Sequence, residues 1–296
     1  VRSPKQIGEF LKNNYYQLHY NIPKDTLISE ASIKTDRKTL LSYNDDLFVK
    51  LLDYRKAHKA LNTYIKNFEG KDFIRYSLKI HGTRTGRLSS ANPNLQNIPN
   101  RLEDIKKIFK ARDNYILVSI DYQKMEMVDA ARLSKDPELL KTFEQNVDLY
   151  SDFAASLYGG TPDDYVKGNP KRDSIAKPAI LGLMYGMGVD SLAGHLNVSS
   201  EEALQIYKTF WNVKYTELFY YKNRLRHELD STNQIVLDWI PRICKDCMAH
   251  TILNTKIQGS CAQLIFLKMI AIDEYLTKNN LDAFLLLQVP VSYTHL

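Results

Sequence analysis

Apolar residues recur three and four positions apart over much of the chain, and this spacing predicts helices. Near the start, Ser3 and Pro4 suit a helix cap and first turn ahead of a short apolar stripe. A longer stripe along Leu47–Phe68 is formed by Leu47, Leu51, Tyr54, His58, Leu61 and Ile65. Helical spacing returns over residues 129–230, and Leu253–Leu276 predicts one long amphipathic helix.

Shorter runs between these segments have the spacing or the compact apolar character of strands. Alternation at Tyr76–Ile80 and Tyr115–Asp121 predicts two strands, and the second turns its apolar side chains one way, namely Ile116, Val118 and Ile120. Leu237–Pro241 suggests a strand and a turn, and Ala283–Val289 predicts a final buried strand. The pattern therefore predicts a fold that combines helices with sheet.

Composition narrows the class of protein only a little. The chain has 296 residues, 44% of them hydrophobic, which is enough to bury a sizeable core. A net charge of +6 fits a phosphate-backbone partner, but enzymes that act on small anions are often as basic. The sequence contains neither a run of eighteen apolar residues nor a signal peptide, so we expect an intracellular protein with no membrane partner.

Three cysteines are too few for a disulfide framework. Cys244, Cys247 and His250 have the spacing of half a zinc site, and Cys261 could complete four ligands. A second pair with the usual spacing is missing, so reduced thiols without metal are favoured over zinc.

The most informative segment is Thr85–Pro99, which reads TGRLSSANPNLQNIP. It is too polar for a core strand and too irregular for a helix, and it is rich in long hydrogen-bonding side chains, namely Arg87, Asn92, Asn94, Gln96 and Asn97. Every base pair presents acceptors in its minor groove, so such donors can test pairing geometry without reading sequence. The competing interpretation from composition alone is a polar surface loop.

The residue order of this segment resembles a signature of family A DNA polymerases, the DNA polymerase I type. The resemblance implies an α+β, right-hand polymerase fold, with a palm of antiparallel sheet, helical fingers and part of a helical thumb. It also implies that the segment lies beside primer–template DNA, with contacts from Arg87, Asn94, Gln96 and Asn97. Asn254 and Gln258 resemble the family's Asn-x3-Gln-Gly helix, whose polar face meets the same duplex; helix caps or surface amides are the alternative.

Asp121 stands at the end of the second predicted strand, where an isolated aspartate most often caps a turn or helix. The run Asp121–Glu126 nevertheless resembles the family's first catalytic motif. By that resemblance, Asp121 and the Tyr122 backbone carbonyl bind the catalytic Mg²⁺, of which the complete enzyme holds two, and Tyr122 also contacts the dNTP. Glu126 would close the nucleotide pocket against a ribose 2′-hydroxyl and so favour DNA synthesis. Three positions depart from the family pattern, namely Gln123, Lys124 and Val128.

Lys177, Leu181 and Tyr185 are four residues apart, so a helix places them on one face. Such a stripe is more often core than site, but Lys-x7-Tyr-Gly resembles the family's fingers helix, which binds the dNTP. The resemblance implies a triphosphate contact for Lys177, which is also catalytic, a base contact for Tyr185, and a sugar contact at Leu181, where an aromatic is usual. Arg172 is a further expected phosphate contact, displaced by one position because Asp173 stands where the family has arginine. Pro178 predicts a helix that starts near Ser174 or is kinked.

The resemblance also divides the chain. We expect a partial thumb at 1–70, palm at 71–128 and 236–289, fingers at 129–235 with their main helix at about 174–188, and a non-native tail at 290–296. The family's last motif continues Gln288 and Val289 with His-Asp-Glu, whereas Pro290 follows here and no carboxylate occurs after Asp282. We therefore expect a truncated polymerase, of phage-like origin, with little or no primer extension.

The function predicted from these residues is template-directed DNA synthesis from dNTPs by a monomer bound to primer–template DNA. It would act in the cytoplasm, at the nucleoid or in a phage-infected cell. A non-catalytic DNA-binding remnant is one alternative. A single-subunit RNA polymerase relative is another, and Glu126 argues against it.

Overall fold

A computed structural model describes residues 4–10, 35–98, 105, 107–245 and 247–289. It divides the chain into two compact units, one formed by Val1–Arg75 with Ile98–Lys110 and the other by Tyr76–Asn97 with Ala111–Leu296. Helices dominate both units, and the second adds two small antiparallel sheets. The predicted α+β class is confirmed. No helix in the described ranges is long and apolar enough to cross a bilayer.

The first unit is helical. Its elements are α1 (Pro4–Phe10), α2 (Arg37–Ser42) and α3 (Asp46–Ala60), and α3 continues through a π-helical stretch, Leu61–Ile65, into a last turn, Lys66–Phe68. Aspartates begin α2 and α3: Asp36 accepts from the Thr39 amide and Asp45 from the Leu47 amide. A small apolar cluster joins the three helices through Ile7, Leu40, Tyr43 and Phe48.

The Leu47–Phe68 run is helical, but the predicted apolar stripe is not the face that turns inward. Leu47, Leu61 and Ile65 are 41–47% exposed, whereas Phe48, Tyr64 and Phe68 are buried. The three aromatic side chains bury more apolar area than the aliphatic ones, so they determine which face turns inward. The wider π-helical stretch also shifts the helical phase before the last turn.

The second unit is a helical body around one large core. Its helices are α4 (Met125–Ser134), α5 (Pro137–Glu144), α6 (Leu149–Tyr158), α7 (Lys177–Met184), α8 (Val189–Leu196), α9 (Ser200–Lys208), α10 (Thr216–Thr232) and α11 (Ile252–Lys278). Aromatic side chains meeting edge to face fill the centre, among them Phe153, Phe210 and Trp211. The long helix predicted at Leu253–Leu276 is confirmed as α11.

Two hairpins complete the second unit. Strand β1 (Ser77–Lys79) pairs with β2 (Ser89–Ala91), with Leu78 opposite Ser90. Strand β3 (Gln234–Val236) pairs with β4 (Ile243–Lys245). The strand predicted at Tyr76–Ile80 is thus confirmed, whereas Leu237–Pro241 forms the connection between β3 and β4.

Two other predicted strands, Tyr115–Asp121 and Ala283–Val289, are wrong: both segments are without strand pairing and mostly exposed. Ile116 and Ile120 are more than 80% exposed. Side chains join the two segments: the ring centroids of Tyr115 and Phe284 lie 6.1 Å apart, and the Tyr115 hydroxyl donates at 2.8 Å to Asp282, which precedes the second segment. A strand is stabilised by ladder hydrogen bonds and a covered face, and here the described residues provide neither.

The helix predicted at about 174–188 begins earlier and ends sooner. A π-helical stretch, Lys171–Ala176, leads into α7, and Pro178 lies in the first turn of α7. Proline cannot donate to the carbonyl four residues back, and a first turn leaves such amides unpaired anyway. The Lys177 amide donates to the carbonyl of Arg172, five residues back, so the helical backbone continues to Pro178 without a break.

We predict that Asp136→Ala destabilises the second unit by about 3 kcal/mol, because three buried or half-buried amides lose their acceptor. Asp136 is 1% exposed, caps α5 through Glu138 and Leu139, and also accepts from the Leu218 amide at 3.1 Å. Urea unfolding measures the change. As a control, Ser199→Ala removes the exposed cap of α9 and should cost about 1 kcal/mol. Equal losses in the two variants would contradict the prediction.

Candidate functional site

Four side chains from four distant sequence segments meet in one hydrogen-bonded network around Glu126. The Glu126 carboxylate is 9% exposed and pairs with the guanidinium of Arg87. The Tyr185 hydroxyl donates to the other oxygen of Glu126 at 3.4 Å. The side chain of Gln258 hydrogen-bonds Tyr185 in turn. All four residues were singled out in the sequence for separate roles, and the structure brings them together.

Local structure explains how each side chain reaches the network. Glu126 lies in the first turn of α4 and Gln258 on the buried part of α11. Tyr185 ends α7, and the next residue, Gly186, has φ +87° and packs on the backbone at His250, where a Cβ would lie 1.9 Å from the carbonyl oxygen. Only glycine tolerates that conformation and that approach, so Gly186 fixes where α7 delivers Tyr185.

The electrostatics of the network follow from its burial. Burial raises the pKa of Glu126, although the charge of Arg87 and the hydrogen bonds from Tyr185 and Arg87 oppose the rise. Burial also raises the pKa of Tyr185, and the charge of Glu126 adds to that shift. Arg87 and Tyr185 therefore offset part of the desolvation cost of an ionised Glu126, and burial remains the larger effect.

The polar loop holds its own shape over Thr85–Asn97 with several of the side chains predicted to contact DNA. Gln96 accepts from the Ser90 amide at 2.9 Å and donates to the Gln288 carbonyl at 3.0 Å. Asn94 accepts from the Ser90 hydroxyl at 2.9 Å. Asn97 is exposed on the same loop. Asn94 and Gln96 thus shape the loop, and Arg87 of the same loop pairs with the buried Glu126.

The helix face predicted for Lys177, Leu181 and Tyr185 is observed. All three are half-buried, while Ala179, Ile180 and Leu183 face the core. At the start of this face, the ammonium of Lys177 lies 5.7 Å from the centroid of the Tyr150 ring. This face is therefore not part of the core, and it carries the ammonium of Lys177 and the hydroxyl of Tyr185.

Arg172 lies beside the same ring but is buried and already engaged. Its guanidinium lies 5.4 Å from the Tyr150 centroid and binds Asp148 at 3.0 Å and Asp173 in a short ion pair. A phosphate contact by Arg172 would require it to exchange one of these partners. Asp148 and Tyr150 belong to no motif recognised in the sequence, although the run Val-Asp-Leu-Tyr-Ser signals a helix cap at Asp148.

The predicted metal ligands are not assembled in the described residues. Asp121 and Tyr122 lie exposed on the segment that lacks strand pairing. Within the described ranges no three His, Cys, Asp or Glu side chains converge on a point where an ion could bind. These residues therefore do not fit a two-magnesium site. The same result gives no support to a zinc site at Cys244, Cys247 and His250.

Comparison with known proteins gives a consistent result. The profile of DNA polymerase family A matches residues 1–290. DNA polymerase I of Lactococcus lactis subsp. cremoris (strain MG1363) is 31% identical over 314 residues, and that of Helicobacter pylori (strain ATCC 700392 / 26695) is 32% identical over 309. Each alignment covers 98% of this chain but only 34% and 33% of the relative, so the chain spans about a third of these relatives' length.

A solved structure supports the same fold. The POL domain of Pol1 from M. smegmatis, in complex with DNA primer-template and dNTP, superposes with a TM-score of 0.79. The two are 26% identical in sequence, and the match covers 97% of this chain and 53% of the solved one.

We predict that Glu126→Gln removes a pH-dependent part of the stability. The pKa of Glu126 is raised on folding above its ordinary 4.5, so its stabilising contribution is complete below that pH and is lost as pH rises through the folded value. The stability of the wild type relative to Glu126→Gln should therefore fall as pH rises across this window. Urea unfolding at a series of pH values measures it, and Glu144→Gln controls for loss of one exposed carboxylate. A difference that grows with pH would contradict the prediction.

Proposed function

The chain belongs to DNA polymerase family A, and we propose that it carries the part of a polymerase that binds primer–template DNA and an incoming dNTP for template-directed DNA synthesis. In this proposal residues 71–128 and 236–289 are palm, 129–235 are fingers and 1–70 are part of the thumb. We propose a monomer that acts on DNA in the cytoplasm, at the nucleoid or in a phage-infected cell.

The observation that carries the proposal is the network of Arg87, Glu126, Tyr185 and Gln258. Arg87 and Gln258 are donors of the kind that can test minor-groove acceptors, which every correct base pair presents. Glu126 and Tyr185 are the groups expected to enclose the nucleotide. Because the four are hydrogen-bonded to one another, duplex geometry and nucleotide shape can be tested at one place.

The remaining roles follow from position. Lys177 is the proposed triphosphate contact, since no described carboxylate forms an ion pair with it. Leu181 lies between Lys177 and Tyr185 on the same face and is the proposed sugar contact. Asn254 lies one turn before Gln258 on α11 and is a proposed duplex contact, as is Asn97 on the polar loop.

Magnesium enters the proposal only as the cofactor that the reaction class requires. Asp121 and the Tyr122 carbonyl would supply oxygen ligands to it, and it would activate the primer hydroxyl and neutralise the triphosphate. The described residues alone do not complete that ligand set. Little or no primer extension by this chain alone remains our expectation.

The two alternatives, a DNA-binding remnant and an RNA polymerase relative, predict a different response to nucleotides. The contact of Glu126 with Tyr185 favours a working nucleotide pocket over a remnant that only holds DNA. A glutamate at that position favours dNTP over NTP, and so argues against an RNA polymerase relative.

We predict that the chain binds a primer–template duplex more tightly when Mg²⁺ and the complementary dNTP are present. Fluorescence anisotropy of a labelled duplex measures the affinity with the complementary dNTP, with a mismatched dNTP and with the matching NTP. Arg87→Ala should weaken duplex binding about tenfold, the loss of one charge-assisted hydrogen bond. Arg226→Ala, at an exposed arginine of α10, is the matched control and should change affinity much less.

Each alternative has its own outcome in this experiment. Duplex affinity that does not respond to any nucleotide would favour the DNA-binding remnant. Affinity that rises with the NTP and not with the dNTP would favour the RNA polymerase relative.

A further inference from the structure

Lys124 is the residue that the proposed function leaves without a role, and its backbone is unusual. It precedes α4 with φ +53° and ψ +26°, a left-handed conformation that lysine rarely adopts. The residue lies three positions after Asp121 and two before Glu126. Non-glycine residues in such conformations persist where the surrounding structure demands them, and they are frequent at functional sites.

The side chain of Lys124 reaches into the group that surrounds Tyr150. Its ammonium lies 3.4 Å from Oδ2 of Asp148, while Oδ1 of the same carboxylate accepts from Arg172 and from the first turn of α6. Arg172 and Lys177 both lie over the Tyr150 ring. The turn after Asp121 and the start of the fingers helix therefore direct three cations to one place.

The charges in this group do not cancel. Lys124, Arg172 and Lys177 carry three positive charges, and Asp148 and Asp173 carry two negative ones. Arg172 is buried and pairs with both carboxylates, while Asp148 also meets Lys124 and Asp173 also accepts from the Gly168 amide at 2.8 Å. Lys124 and Lys177 are partly exposed, and the 3.4 Å contact of the Lys124 ammonium with Asp148 is long for an ion pair.

We propose that Lys124 binds the phosphates of the incoming nucleotide together with Lys177, and that Asp148 positions Lys124 for this contact while it anchors Arg172. This inference rests on the proposed function and adds a specific residue to its nucleotide site. The ligand class is a nucleoside triphosphate. The backbone phosphates of the template strand are the competing source of the same chemistry, and the test separates the two.

The test measures binding of dATP with Mg²⁺ to the full chain by calorimetry, first without DNA. Lys124→Gln should weaken dATP binding about tenfold and leave dAMP binding within about twofold, because the contact is to the outer phosphates. Lys124→Arg keeps the charge and should retain most of the affinity. Lys135→Gln is the matched control: Lys135 is exposed at the other end of α4 and has the same left-handed backbone, with φ +57°.

Several outcomes would overturn the proposal. Unchanged dATP affinity in Lys124→Gln, or equal losses for dATP and dAMP, would leave Lys124 with a purely structural role. Weaker duplex binding with unchanged dATP binding would assign Lys124 to the template backbone. If the wild-type chain binds no dATP, the nucleotide half of the proposed function fails and this inference fails with it, whereas a failure of Lys124→Gln alone leaves the proposed function intact.

A second measurement needs no variant and so does not depend on the stability of one. In the wild type, dATP with Mg²⁺ should protect Lys124 from amine acylation at least about threefold more than it protects Lys135, as read by peptide mass spectrometry. A short DNA duplex without nucleotide should not protect Lys124 in this way. Equal protection of the two lysines by dATP would also overturn the proposal.

Discussion

A buried carboxylate is costly unless charged or hydrogen-bonding partners surround it, and this requirement organises the second unit around Glu126. The partners come from three elements, namely Arg87 from a loop, Tyr185 from the end of α7 and Gln258 from the long helix α11. None of these partners is near Glu126 in sequence, so the network forms only when the loop, α4, α7 and α11 are all in place. The same residues are the ones proposed to handle duplex and nucleotide, which makes the site a product of the assembled fold.

Backbone irregularities deliver the side chains to that network. The π-helical stretch before α7 accommodates Pro178, and Gly186 ends α7 against the backbone at His250. Together they determine the length and the end point of the helix face that carries Lys177 and Tyr185. A regular helix over the same residues would present Tyr185 in another direction relative to Glu126, since each added residue turns the helix by about 100°.

Features that depend on local sequence were predicted correctly. Features that depend on contacts with residues distant in the sequence were not. The residues of the site, the long helix α11 and the shared face of Lys177, Leu181 and Tyr185 could be read from motif and spacing. The strand at Tyr115–Asp121 could not, because alternation records a tendency to pair and does not supply the neighbouring strand. Asn94 and Gln96 show the same limit, since their amide groups fit DNA contacts and loop hydrogen bonds equally well. The pairing of Arg172 with Asp148 also required the fold, because 24 residues separate the two.

The charged side chains around Tyr150 keep a net positive charge, although individual charged positions differ from the family pattern. Where the resemblance leads one to expect an arginine, Asp173 removes one positive charge and adds a negative one. Arg172, one position earlier, turns inward and takes up that negative charge together with Asp148. Lys124, another position that departs from the family pattern, places one positive charge beside Asp148. The group keeps a net positive charge, and Lys124 and Lys177 are its partly exposed cations. In the proposed function, this charge would attract the phosphates of the incoming nucleotide to the turn after Asp121 and the start of α7.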